Sequence, residues 1–360
     1  MGSRRRGLDL WQRSPEKLSS KFHDCGESMS YRLDPALPVS EALRSVALAE
    51  LDIAHTSLAA PPDRHKGVHS ARKCFKRLRS LLVLARPGMP DPLYVNLNRR
   101  VARIGKGLAP ARDAHALFDA LNVLERNTEP GLGDGPIDAM RGWLRRRRKE
   151  AERNLEQSSA SQSLEMLLEL RPRFASLVVY PDDFTPISKG LEVSYCCARQ
   201  QFKSAFRSKN PEVLHDWRKG VQRHWRQMQL LTPCWPSELS ARAEAARGLS
   251  QTLGDDHDIA NLMHLATAPT MTFGSPDDIS DFLKRCKIRM KALRKDAKIR
   301  GQRLFVEKPQ PFAGRIHAYW TTTAIGVLKP VEPARQEDNV VAIDDARSDV
   351  MSHLNYGGQN

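Results

Sequence analysis

The sequence predicts an all-α protein: two four-helix bundles related by internal duplication, with extra helices at the C-terminal end. Three observations predict it. Apolar residues recur at helical rather than alternating spacing, Pro and Gly pairs punctuate the chain at helix-length intervals, and two separate motifs recur at nearly one offset.

Residues 1–28 lack apolar periodicity and read as a flexible basic arm. From Ser40 to Leu58, Leu43, Ala47, Leu51, Ala54 and Leu58 mark one face of a helix, and Pro61-Pro62-Asp63 stops it and caps the next. That second helix runs from Arg64 to Ala85, before Arg86-Pro87-Gly88. Helices follow over Leu93–Gly107 and Ala111–Leu124, and, beyond a turn-rich break at 129–136, over Ile137–Glu156. A first bundle thus spans about 40–156. Residues 157–186, Ser/Gln-rich and closing on Tyr180-Pro181 and Pro186, read as a linker.

A second bundle is expected over about 187–325. Its helices cover Ile187–Ser208, then a stretch opened by Asn210-Pro211-Glu212 as cap, first-turn proline and first-turn acid. Ser237–Thr252, Asp256–Ala266, Pro276–Leu304 and Phe312–Leu328 complete it. Residues 329–360, with three basic and six acidic side chains, read as a disordered acidic tail.

The repeat is the main feature. His69-Ser70-Ala71-Arg72-Lys73 aligns with His215-Asp216-Trp217-Arg218-Lys219, 146 positions on. Leu108-Ala109-Pro110-Ala111-Arg112-Asp113 aligns with Leu253-Gly254-Asp255-Asp256-His257-Asp258, 145 positions on. At about 100° per residue, His69, Arg72, Lys73, Lys76 and Ser80 share one stripe with Arg77 at its edge, while Ala71, Phe75, Leu78, Leu82 and Ala85 form the opposite, core face. His215, Arg218, Lys219, Gln222 and Arg226 form the matching stripe, backed by Trp217, Val221 and Met228. Like charges one helical turn apart repel by a few tenths of a kcal/mol per pair. One such helix is ordinary solvated surface; two with the same His-Arg-Lys order argue for a bound anion. Lys287, Lys291, Arg294 and Lys298 make a third basic stripe, with Met290, Leu293, Ala297 and Leu304 towards the core.

Composition agrees. The 57 Lys and Arg outnumber 42 Asp and Glu, for a net charge of +15, and the isoelectric point is near 9.8. That surplus favours an anionic partner without choosing among nucleic acid, acidic lipid and phosphate polymer. No apolar run is long enough to span a membrane. The six cysteines form no CxxC pair, so a reducing, cytoplasmic setting without a zinc site is expected. Asp113 and Asp258 are read as helix-start or Arg-orienting carboxylates rather than acid/base catalysts.

Taken together, His69-x-x-Arg72-Lys73-x-x-Lys76-Arg77-Leu78-Arg79, Leu108-x-Pro110-x-Arg112-Asp113 and Leu253-Gly254-Asp255-x-His257-Asp258, with Tyr31-Arg32-Leu33 and Gly301-x-Arg303-Leu304-Phe305, resemble the CHAD domain family, the conserved histidine α-helical domain. The resemblance covers about residues 29–328 and departs at Ala109, Gln222 and Trp225-Arg226. It implies two four-helix bundles with pseudo-two-fold symmetry enclosing a basic channel for inorganic polyphosphate, in a protein that associates with polyphosphate granules as a binding module rather than an enzyme. No cofactor is expected, and a metal at His69 and His215 is disfavoured because the surrounding Arg and Lys repel a cation. The implied contacts are His69, Arg72, Lys73, Lys76, Arg77, Arg79 and Arg112 from the first half, His215, Arg218, Lys219, Arg223 and Arg226 from the second, and Lys291, Arg294, Lys298 and Arg303 near the end. Arginine forks and lysine point charges suit phosphate oxygens, and helix starts after Pro110 and at Asp255 could add backbone N–H donors.

Two other classes compete. The run Arg145-Arg146-Arg147-Arg148-Lys149 permits nucleic acid, although aromatics are only 6% of residues and no stacking motif is evident. A phosphate-processing enzyme would need a P-loop or an ExExK element; the nearest approach, Glu150-Ala151-Glu152-Arg153-Asn154, lacks the lysine.

Overall fold

A computed structural model of the chain describes residues 31–61, 63–126, 134–154, 160–208, 211–268 and 273–328; the basic arm, the acidic tail, Asn210 and the side chains of Arg112 and Asp113 lie outside the described residues. These residues form eleven α-helices and no strand. In order they are α1 (Val39–Ala59), α2 (Arg64–Ala85), α3 (Asp91–Gly107), α4 (Ala109–Arg126), α5 (Asp134–Asn154), α6 (Ala160–Ala175), α7 (Thr185–Ala205), α8 (Pro211–Leu231), α9 (Pro236–Ala266), α10 (Pro276–Leu304) and α11 (Pro309–Leu328).

Local chemistry sets the boundaries. The Asp63 carboxylate accepts the Lys66 N–H at 3.0 Å and starts α2, satisfying one of the orphan donors of its first turn. A 3-10 turn at Arg86–Gly88 ends it. Ser275 and Asp278 close a reciprocal capping box at the start of α10.

Two boundaries differ from expectation. The segment read as a linker contains α6, whose Leu167, Leu170 and Phe174 are wholly buried and which packs on α1 and α3. Pro172 obscures this helix in the sequence, but it sits in the last turn, where it removes one hydrogen bond and leaves the rest intact. The expected helices 237–252 and 256–266 are one helix, α9, 31 residues long. Asp255 is therefore mid-helix, and no helix N-terminus exists there to donate to an anion. In the first half the corresponding path does break, at Leu108 between α3 and α4.

The apolar faces are as the periodicity requires: Ala71, Phe75, Leu78, Leu82 and Ala85 of α2, Trp217, Val221 and Met228 of α8, and Met290, Leu293, Ala297 and Leu304 of α10 are all buried. Buried side chains gather in two clusters, each drawing on both halves of the sequence. The larger joins α1, α2, α3, α6, α7, α8, α11, α9 up to Leu253 and, through Ala297 and Leu304, the end of α10; the smaller joins α4, α5, the rest of α10 and the last turns of α9. Each fully buried Leu or Phe contributes about 1.5–3 kcal/mol, and α9 and α10, with apolar residues in both clusters, tie them together. Helix α11 is held by a polar network: Arg315 bonds Glu307 at 2.9 Å and also pairs with Glu238, while Arg242 bonds Glu307 at 3.2 Å and the Leu304 carbonyl at 2.8 Å.

Candidate polyanion-binding site

Helices α2 and α9 both pack on α8, and α2 meets α8 where the Ser80 hydroxyl donates to the Arg223 carbonyl at 3.3 Å, about two to three turns beyond the histidine of each His-Arg-Lys motif. His69, Arg72, Lys73 and Lys76 lie on the first four turns of α2, with Lys73 and Lys76 exposed. Arg72 leans to the end of α3, where its Nη1 donates to the Gly105 carbonyl at 2.9 Å. Arg218 leans onto α9: its guanidinium lies so near Gly254 that a Cβ there would be 3.3 Å from Nη2. Gly254 in mid-helix is thus where a side chain from α8 comes close. Lys219 is exposed and bonds Asp216 at 2.9 Å, a contact worth little in water.

The cations of the three helices act on one another. Although the Lys73 side chain is exposed, partial desolvation by its neighbours, then Arg77 of α2 and Arg247 of α9, push its ammonium below the ordinary range. Burial pushes Arg226 down to about 10, opposed by Tyr31 and reinforced by Arg77 and Arg218. Arg226 was expected on the exposed stripe; instead it is 8% exposed, because one more turn of α8 carries that face under the Tyr31 segment. Its Nη1 donates to its own helix at the Gln222 carbonyl, 2.8 Å away, and no carboxylate among the described residues pairs with it. Its guanidinium lies 5.1 Å from the Trp225 ring and Arg247 lies 6.0 Å from it, so Trp225 carries cations from two helices.

His215 stacks on His257 of α9, with ring centroids 4.5 Å apart. Burial, then His257, Lys219 and Arg218, lower its pKa, and its Nδ1 is buried without a hydrogen-bond partner. An imidazolium here would need an anion. His224, which the sequence stripe does not mark, is 1% exposed and accepts from Arg242 Nε at 3.2 Å; burial and Arg242 push it well below its usual value, a structural histidine under α11.

Several expected contacts have other partners. Arg77 pairs with the wholly buried Glu50 at 3.2 Å, and Ser80, 3% exposed, donates to the Arg223 carbonyl instead of completing the stripe. Arg79 bonds Asn98 at 2.9 Å. Arg294 holds Asp256 through Nε at 2.8 Å and Nη2 at 3.3 Å. Asp256, side by side with motif residues, was not singled out by spacing because its partner is 38 residues away. Lys291, Lys298 and Arg303 stand exposed on α10, which packs on α9.

A guanidinium and ammonium cluster of this kind, with few carboxylates and two stacked histidines at one end, can hold phosphate oxygens by charge-assisted hydrogen bonds. Among the described residues no cluster of three or more His, Cys, Asp or Glu could hold a metal ion, and no helix is long and apolar enough to cross a membrane.

Residues 46–267 match the CHAD domain family, and the chain belongs to it. PptA from Streptomyces chartreusis is similar in fold, with a TM-score of 0.56 and 13% identity over 75% of this chain and 100% of that one; the CHAD domain from the plant Ricinus communis aligns with a TM-score of 0.47 and 14% identity over 83% and 97%. No curated protein matches the chain.

Proposed function

We propose that this CHAD domain protein binds inorganic polyphosphate along the basic neighbourhood of α2, α8 and α9, as a binding module rather than an enzyme. The observation that carries the reading is the pair of like-ordered basic stripes on two packed helices: Lys73 and Lys76 of α2 and Lys219 of α8 stand exposed, and Arg72 and Arg218 flank them against α3 and α9. His69 and His215 extend the same surface. We infer that α2 and α8 are copies from an internal duplication, since Arg72 and Arg218, at equivalent positions, both lean on the helix that follows. Membership of the family supports association with polyphosphate granules in the cytoplasm. Arg294 acts through Asp256, and Lys291, Lys298 and Arg303 add long-range attraction.

Binding of this sort releases counterions and weakens steeply with salt. Fluorescence anisotropy with labelled long-chain polyphosphate, at about 0.15 M salt and with charge-matched single-stranded DNA as competitor, tests it. Tight binding that DNA does not displace is expected; equal competition by DNA would leave only a general basic surface. One observation favours the nucleic-acid reading: Arg145 and Arg148 lie 5.9 and 5.4 Å from the Phe118 ring, and Arg147 lies 5.0 Å from Trp143. Those rings are already covered by the chain's own arginines, so they offer bases little stacking surface.

A further inference from the structure

At the end of α2 away from His69, a cleft of about 640 Å³ opens towards α3 and α7. Val83, Pro87, Met89 and Val193 give it apolar walls, Tyr94 an aromatic one, and Arg223 of α8 reaches into it. The other cation at its rim, Arg86, is engaged, bonding Asp91 at 3.3 Å and lying 4.8 Å from the Tyr94 ring. Arg223 is not. It is part-buried, its electrostatic neighbours are the Tyr94 phenol, the Cys197 thiol and the Arg79 guanidinium, and no carboxylate or hydrogen-bond acceptor among the described residues holds its guanidinium.

This cleft has a counterpart. A cavity of about 90 Å³ beside Arg77 is lined by Tyr31, Gln229, Thr232 and Ser240. Arg77 stands 146 positions before Arg223, and Val83, Arg86 and Tyr94 of the large cleft stand 146 before Gln229, Thr232 and Ser240 of the small one. Equivalent positions therefore build both spaces. In the small one the chain fills the space itself. The Leu33 N–H bonds the Leu230 carbonyl at 2.8 Å and draws the Tyr31 ring to 5.1 Å from Arg77, while Glu50 supplies the carboxylate.

Around Arg223 both substitutes are missing. Position 196, 146 after Glu50, is Cys196. The segment before α7 docks one turn further along, where Tyr180 N–H bonds the Gly88 carbonyl at 2.9 Å, and the Tyr180 side chain is 85% exposed. A part-buried guanidinium is left facing a space of the size that small-molecule sites have, with apolar walls and one orienting charge.

We propose that this cleft binds a small molecule with a single anionic group on an aromatic or aliphatic body: its anionic group pairs with Arg223 as Glu50 pairs with Arg77, and its body lies where the Tyr31 ring lies in the counterpart. The guanidinium fork accepts carboxylate, sulfonate or phosphate monoester oxygens. The site is independent of the polyphosphate reading.

The test is titration of the full chain with 8-anilinonaphthalene-1-sulfonate, read by fluorescence, in the wild type, Arg223→Gln and Val193→Trp, with folding checked by circular dichroism. Val193 is 60% exposed, so tryptophan there fills the cleft mouth without disturbing the core. One saturable site is expected, weakened about tenfold or more by either substitution. Phenyl phosphate should displace the probe and long-chain polyphosphate should not. Absence of a saturable site, or unchanged binding in Val193→Trp, overturns the proposal. Displacement of the probe by stoichiometric polyphosphate overturns it too, by making the cleft part of the polyanion path; polyphosphate affinity that persists in Val193→Trp keeps the two readings separate.

Discussion

Glu50 and Arg77 form an ion pair at 3.2 Å in which the carboxylate has no solvent exposure and the guanidinium 14%. Arg77 therefore serves the core before it serves any ligand. Removing one partner of a buried pair strands the other charge, so Arg77→Ala should lower the unfolding free energy by about 3–5 kcal/mol in urea denaturation. Lys76→Ala, one residue away and exposed, should stay within about 0.5 kcal/mol. Equal effects would refute the structural role of Arg77.

Arg294 is the second basic residue of this kind. Its fork on Asp256 leaves that carboxylate 5% exposed, and its own side chain is 44% exposed, so screening reduces the effect. Arg294→Ala should cost about 1–3 kcal/mol by the same measurement, against less than about 0.5 for Lys291→Ala.

Helix α7 crosses α2 at Gly190, where a Cβ would be 2.1 Å from the Leu84 carbonyl oxygen. Gly190→Ala must push the two helices apart and should destabilise by about 1–3 kcal/mol. Gly314, in α11, has nothing within 4 Å of an added Cβ. Gly314→Ala should stabilise by up to about 1 kcal/mol through helix propensity. Thermal or urea denaturation of the two variants gives opposite signs if the α2–α7 contact is as described.

Burial lowers the pKa of both His215 and His224 from the ordinary 6.5. The unfolded chain then takes up protons near pH 6.5 that the folded chain still refuses. Stability should be full above that pH and fall as pH drops through the lower folded values. Bound phosphate favours the charged imidazole of His215, so polyphosphate affinity should rise as pH falls from 8 to about 6 while free-protein stability declines. An affinity independent of pH, or a His215→Gln variant with the wild-type pH profile, would count against histidine contact with the ligand.

The helices with strong periodicity were legible in the sequence, and so were the buried faces of α2, α8 and α10. Helix α6 was not, since Pro172 and a polar start hid Leu167, Leu170 and Phe174. The continuity of α9 was not, because a mid-helix Gly254 reads as a break until Arg218 is seen lying over it. Within the site, periodicity identified which residues share a stripe but not which are spoken for: the partners of Arg77, Arg79 and Arg294 come from other helices, and spacing along one helix cannot reveal them. The burial of Arg226 depends in the same way on the Tyr31 segment.

The central claim is that α2 and α8 hold one polyphosphate chain jointly. Isothermal titration calorimetry with long-chain polyphosphate tests it on the wild type, on Arg72→Ala/Lys73→Ala/Lys76→Ala and on Arg218→Ala/Lys219→Ala. The account predicts a single class of site whose whole isotherm weakens in either variant. Retention of half the sites at wild-type affinity in each variant, or affinity unchanged in both, would contradict it.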